Sequence, residues 1–460
     1  MEKGSTASVL DRAVIVSLAA VFIAYQITSW EPLSAAAGVL AFAAIAALLP
    51  QLRGSTLWLA SAFLAGGMLL LYAQRADARE WLQAAGVNAT LVTLFVFAPL
   101  FGIPVRMPAY VEALKRFYAT GKRSGGALYA GTQLLTQIMG VFINVGAIPV
   151  VYHMAFARPQ PGLSRLLANA MNRGFGGAIF WSPYFAAMAL VTSALSVSWS
   201  DLLPYMLGLS LLSVLVSFAA DYRGLRAWGR AEPEEEDPAQ ADATDRRPGK
   251  SPFPIELAVY LVAAMAAILV LERFVTLPSV LITCLAAVVV PFAWCLAKRA
   301  TSLYRQGLAH HATVTLPSLR KEIGLFLAAG FFSGSIGTTG FGAEVPRWFE
   351  AIPLSPQLSF AAATVALVLL TAMIGLHPIV PVTILANGID PSAVHFSPIA
   401  FAVLLLGSWG LSNTVSPASA VNNLLAGLFK KQVFELARPN VPFAAWMAVA
   451  LICYLSAVRM

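Results

Sequence analysis

Charge is what this chain of 460 residues has least of: Asp, Glu, Lys and Arg together make up 11% of it, against 58% hydrophobic residues. Soluble domains carry about 25% charged residues, so the scarcity excludes a soluble fold. Cysteine is scarcer still. Cys284, Cys295 and Cys453 all sit in apolar runs with no metal-ligand spacing, which excludes a disulfide framework and a cysteine metal site. Carboxylates are missing from the interiors of the long apolar stretches, with Asp201, Glu272 and Glu322 confined to their ends. Intramembrane acids of the kind proton relays use are therefore lacking. No paired acids, His/Asp constellation or metal motif stands on one face, which weighs against a membrane-embedded biosynthetic enzyme or assembly component. The net charge of +8 does not point to nucleic acid either, because the Lys and Arg lie in short loops between apolar runs, where the positive-inside bias puts them.

What is present is a series of apolar runs of bilayer-spanning length. They predict an all-α polytopic membrane protein with eleven spans, near 13–29, 33–50, 56–73, 86–104, 175–196, 202–220, 254–272, 277–297, 321–339, 393–428 and 440–458. Two further stretches, 126–156 and 357–388, are too long for one crossing and short for two, with Gly146 and Pro149 central in one and Gly375, Pro378 and Pro381 in the other. Each reads as a re-entrant hairpin, tolerated only where it is buried in protein or lines a wet cavity. The basic loops fall on one side if the N-terminus is cytoplasmic, which puts the C-terminus outside a bacterial-type inner (plasma) membrane. The N-terminal run lacks a small-residue cleavage site and reads as a retained helix. Segment 221–253 is hydrophilic and rich in Glu, Asp, Pro and Ala at its centre, a composition expected of a disordered cytoplasmic linker. The organisation is then an N-terminal helix (1–30), a first repeat (31–220) containing hairpin 126–156, the linker (221–253), and a second repeat (254–460) containing hairpin 357–388.

The repeat shows most clearly in a pattern that occurs twice. Gly176 precedes Ser182-Pro183, and Gly410 precedes Ser416-Pro417, at an offset of 234 residues (182 to 416). Ile148-Pro149-Val150 answers to Val380-Pro381-Val382, and Glu112, Lys115 and Phe117 to Glu344, Arg347 and Phe349, at an offset of 232 (148 to 380, 112 to 344). A near-constant offset over three elements is an internal repeat. Span counting makes the first hairpin enter from the cytoplasm and the second from outside, so the two repeats are inverted. Proline removes a backbone donor, and broken helices paired in inverted repeats build the binding site of secondary transporters.

The order of one extra helix, then twice three spans, a hairpin, a broken span and a last span resembles the ion transporter superfamily, in particular the divalent anion/sodium symporter family. Members of that family carry Ser-Asn-Thr motifs at hairpin tips; here Ser412-Asn413-Thr414 lies in the interrupted helix, Gly375-Leu376-His377 in the second hairpin, and Ile143-Asn144-Val145 in the first. The resemblance covers most of the chain in architecture. It implies an anionic substrate and a homodimer.

Without intramembrane acids, the coupling ion expected is sodium, a hard cation satisfied by carbonyl, hydroxyl and amide oxygens. Asn144 and Ser182, with the backbone near Gly146, form one candidate sodium site, and Ser412, Asn413, Thr414 and Ser416 the symmetry-related one; Pro183 and Asn422 complete the set of candidate site residues. The competing reading is that these Ser, Thr and Asn side chains bond back to helix carbonyls. Gly174, Gly176 and Gly177 allow close backbone approach of an anion at a half-helix N-terminus, with Arg173 as its partner or else as one more cytoplasmic basic residue. His377, near the second hairpin tip, either couples protons or bonds a carbonyl, and a proton-coupled exporter of the same fold is the alternative to sodium coupling. Trp181 and Trp409 flank the breaks, and His310-His311 are expected to be solvated. No cofactor is called for, and the partners expected are a small solute and the lipid bilayer.

Overall fold

The computed structural model describes residues 3–119, 124–156, 162–228, 255–350, 352–353 and 355–457. Every regular element among the described residues is helical, as a chain in hydrocarbon requires when each N–H and C=O must find its partner within its own segment. Twelve described helices are long and apolar enough to cross a bilayer, and the protein is a multi-pass membrane protein. Two of the twelve belong to the hairpins, Gly125–Ala155 and Pro356–Met373. Helix Arg320–Gly337 is not counted with them because Arg320-Lys321-Glu322 open it, yet its apolar run is buried from Ile323 to Phe331 and supplies the remaining crossing.

Several boundaries differ from the sequence expectation for identifiable reasons. The span near 86–104 is three pieces, Ala89–Phe97, a 3₁₀ turn at Ala98–Phe101 and Gly102–Val105, since Pro99 and Pro104 each remove a donor. The loop before it holds a helix, Ala78–Gly86, started by a capping box between Asp77 and Glu80. The span near 175–196 begins earlier, at Ser164. Helix Trp199–Trp228 runs through the first residues assigned to the linker, because Asp221 is held by Tyr129, Asn169 and Arg173. The rest of that linker lies outside the described residues.

The two repeats agree in backbone detail. Ser164–Trp181 and Pro398–Val415 are each 18 residues long, and the half-helices that follow, Ala186–Leu195 and Ala420–Phe429, are each 10. Between them Ser182 has φ −74° and ψ 125°, and Ser416 has φ −77° and ψ 124°. A residue before proline is pushed to this extended region by the proline ring, so the two Ser-Pro pairs impose one geometry twice. Both half-helices then end on a left-handed residue, Ser196 and Lys430, each at φ 52°. The hairpins match as well: a serine precedes each first arm, Ser124, whose side chain accepts from Ala127 N, and Ser355, which makes no such bond, and their tips carry Asn144 at φ 50° and Gly375 at φ 93°.

The broken helices form the centre of the molecule. Of an apolar 18-residue stretch within the second broken segment, Pro398–Phe429, 89% is buried, against 28% of the same length of the N-terminal span Leu10–Thr28. A helix apolar on all sides belongs in the interior, and Ala400–Ser412 is buried at every position. Each half-helix past a break reaches into the other repeat. Ala186–Leu195 packs on the second arm of the second hairpin, Ile379–Gly388, and Ala420–Phe429 on the second arm of the first, Ala147–Ala155. The Tyr152 hydroxyl donates to the Leu428 carbonyl across that second contact at 3.2 Å.

Candidate functional site

The two broken helices cross at the repeated glycines. A methyl group on Gly176 would stand 3.0 Å from the Gly410 carbonyl and 3.0 Å from Thr414 Cγ2, and one on Gly410 would overlap the Phe180 ring and lie 2.9 Å from the Gly176 carbonyl. The contact is reciprocal, each glycine meeting the other's carbonyl, as expected where an approximate two-fold axis passes through the crossing. Small residues permit such approach of two backbones in a membrane. The expectation that Gly174, Gly176 and Gly177 open a half-helix is therefore corrected: all three lie inside the continuous helix Ser164–Trp181 and serve packing. Gly174 meets the Gln133 carbonyl and Thr136, and Gly177 meets the Gln137 amide, both on the first arm of the first hairpin. The half-helix N-termini lie at Ala186 and Ala420.

Beyond the crossing the breaks share a turn but differ in how their carbonyls are satisfied. Ser182 Oγ accepts from Tyr184 N and Ser416 Oγ from Ala418 N, each at 3.2 Å. Ser182 Oγ also donates to the Val141 carbonyl at 3.3 Å, joining the first break to the first hairpin. At the second break the buried Asn422 amide donates to the carbonyls of Asn413, Thr414 and Ser416. Asn172, from the other broken helix, donates to the Thr414 carbonyl at 3.2 Å and to Asn422 Oδ1. Met188 stands where the repeat would put a counterpart of Asn422 (188 to 422). Pro183 cannot donate to the Ile179 carbonyl and Tyr184 N is turned to Ser182, so the Ile179 and Phe180 carbonyls lose their backbone donors, and no side-chain donor replaces them among the described residues. The Trp181 carbonyl is covered by Trp199 Nε1 at 2.9 Å.

Several candidate ligands already have local partners. Ser412 Oγ donates to the Trp409 carbonyl at 2.8 Å, Thr414 Oγ1 to the Leu411 carbonyl at 2.7 Å, and Ser419 Oγ to Asn413 Oδ1. Asn144 and Gly146 are exposed at the first hairpin tip, where Asn144 Oδ1 accepts from Val145 N at 2.7 Å. His377 Nδ1 accepts from Ile379 N at 3.2 Å, so it caps the second arm of its hairpin, with its ring against Phe326 and against Trp409 of the broken helix. The structure thus joins Gly176 to Thr414, Ser182 to the first hairpin and Asn422 to both broken helices. No hydrogen bond links Asn144, Ser182, His377 and Asn413 to one another among the described residues.

Arg173 is neither a loop cation nor open to an anion. Its side chain is 1% exposed and pairs with Asp221 at 3.0 Å; Nε donates to Asn440 Oδ1 at 2.8 Å, and Nη1 to the Tyr129 hydroxyl at 3.0 Å and to Ser217. The guanidinium also lies over the Phe443 ring at 4.6 Å. One ion pair thereby ties the first hairpin, the first broken helix, helix Trp199–Trp228 and the foot of the last helix. Above it the first arm of the hairpin and helix Trp199–Trp228 are joined by two polar rungs, Tyr129 with Ser217 at 2.7 Å and Gln137 with Ser210. The sequence signal for this seam is the spacing of Tyr129, Gln133 and Gln137 against Ser210, Ser213 and Ser217 in otherwise apolar helices.

No protein-family model matches the chain, and no curated protein matches it. Among solved structures it is similar to the crystal structure of the Alcanivorax borkumensis YdaH transporter, described as having an unusual topology, with a TM-score of 0.51 and 16% identity over 87% of this chain and 98% of that one. At that identity the likeness shows the fold alone.

Proposed function

We propose that the protein is a secondary active transporter that moves a small anionic organic solute by alternating access, with sodium as the coupling ion, as in the divalent anion/sodium symporters its architecture resembles. In this reading it is a homodimer in an inner (plasma) membrane, with the N-terminus cytoplasmic and the C-terminus external. The observation that carries it is the reciprocal crossing of the two broken helices at Gly176 and Gly410, with matched Ser-Pro breaks just beyond. Inverted repeats that exchange conformations about such an axis expose one site to either side in turn.

The half-helices favour an anionic solute. The N-termini at Ala186 and Ala420 present free amides and the positive dipole end beside the breaks, where an anion is favoured. Arg173 is spent on Asp221 and leaves that role to the backbone. Sodium suits the first break, with the Ile179 and Phe180 carbonyls and Ser182 near the hairpin carrying Asn144; the symmetry-related ligands are Asn413 and Thr414, once Asn422 and Ser419 release them. Reconstituted into proteoliposomes, the protein is expected to accumulate one or more members of a carboxylate panel under an inward sodium gradient and not under an equal potassium gradient. Indifference to sodium and to pH gradients for every anion would overturn the reading. Proton coupling through His377 predicts instead that His377→Gln changes the pH dependence of uptake; an unchanged profile keeps sodium.

A further inference from the structure

A cavity of about 530 Å³ opens between the start of the first broken helix and the segment that leads into the last helix, lined by Arg165, Lys431 and Arg438 together with Phe429, Leu436 and Pro442. It is cationic at the rim and apolar in the wall. Glu435 also lines it, but its carboxylate is held by its own segment, accepting from Gln432 N at 3.2 Å and lying 4.0 Å from Lys431 Nζ. Among the described residues neither Arg165 nor Arg438 has an ion-pair partner, and both are exposed. The short helix Val433–Ala437 beside it exposes Phe434 at 65% next to Lys430 and Lys431, the pairing of an apolar anchor with basic residues that settles a helix at a membrane surface.

We propose that this cavity binds the phosphate headgroup of an anionic membrane lipid, with Arg165 and Arg438 on the phosphate oxygens and Phe429 and Leu436 against the start of the acyl chains. Basic pockets between membrane helices hold lipid headgroups in this way, and guanidinium forks match phosphate geometry. The lipid is favoured over a free anion because the cavity wall is apolar and the exposed Phe434 places its mouth in the interface. A lipid seated there bridges the first broken helix and the segment that leads into the last helix. Arg165 starts the helix that carries Arg173, and Arg438 lies two residues before Asn440, which accepts from Arg173.

The test uses the purified full chain in neutral detergent, with melting temperature followed against dioctanoyl-phosphatidylglycerol, dioctanoyl-phosphatidylcholine or sodium phosphate at matched concentration. A ligand that binds only the folded state raises stability by mass action. Phosphatidylglycerol is expected to raise the melting temperature, with little response to phosphatidylcholine or phosphate. The double variant R165Q/R438Q is expected to lose the response, and R299Q, a basic position outside the cavity, to keep it. An equal response to phosphatidylcholine, full reproduction by phosphate, or an undiminished response in R165Q/R438Q would each overturn the proposal. If the double variant does not fold, R438Q alone is expected to weaken the lipid midpoint about fivefold, the effect of one basic residue at an anionic surface; an unchanged midpoint counts against the site.

Discussion

At the scale of single residues, Gly176 and Gly410 set the distance between the two halves. Gly176→Ala and Gly410→Ala are each expected to destabilise the protein by about 1–3 kcal/mol through overpacking, read as a lower melting temperature in detergent, with loss of transport. Gly427→Ala is the control: a methyl there meets nothing within 4 Å, and relief of glycine's entropic cost in a helix is expected to leave stability unchanged or raise it by about 0.5–1 kcal/mol. A second residue-scale prediction concerns His311, which is not the solvated loop residue its basic surroundings suggest. Its Nε2 stands 2.8 Å from the Val96 carbonyl, one residue before the helix ending at Phe97 gives way to the 3₁₀ turn. Burial lowers its pKa below the ordinary 6.5, and neighbouring His310 adds to that, against the opposing pull of the Val96 carbonyl. The folded state therefore resists protonation that the unfolded chain accepts. Stability is fully present above the unfolded value and is lost as pH falls through it towards the folded one. The melting temperature is expected to fall below about pH 6.5, and His311→Gln, which keeps an N–H for the carbonyl, to flatten that part of the profile. An equal slope in the variant would rule His311 out as its source.

At the scale of elements, the Arg173 ion pair is the joint between the first hairpin, the first broken helix and the outer helices. Arg173→Met leaves Asp221 without its cation in a half-buried setting and is expected to cost about 3–5 kcal/mol, whereas replacing both by apolar residues, Arg173→Met with Asp221→Leu, is expected to recover much of that. A double variant no more stable than the single one would mean that the neutral partners, Asn440 and Tyr129, carry the joint instead. The breaks and hairpins were legible because proline and glycine act locally: Ser182-Pro183 and Ser416-Pro417 dictate their dihedrals whatever surrounds them. Arg173 was not legible, since its role depends on Asp221, 48 residues away, and on Asn440, 267 away. Nor could local pattern show that Asn172 and Asn422 cover the second break, or that the repeated glycines make a crossing and not a half-helix start, because each depends on which helix lies opposite.

At the scale of the whole molecule, the half-helices past the breaks pack on the hairpins of the opposite repeats, so a displacement of either hairpin would carry with it a half-helix of the other repeat. Alternating access follows if the two repeats exchange their conformations about the Gly176–Gly410 crossing. The most direct test needs no knowledge of the solute. Asn144→Cys and Asn413→Cys, each in a chain with Cys284, Cys295 and Cys453 replaced by alanine, are treated with a membrane-impermeant maleimide from one face or the other of oriented vesicles. Both positions are expected to react from both faces, with sodium raising the rate from one face and lowering it from the other. Reaction from a single face at rates that sodium does not change would contradict the account.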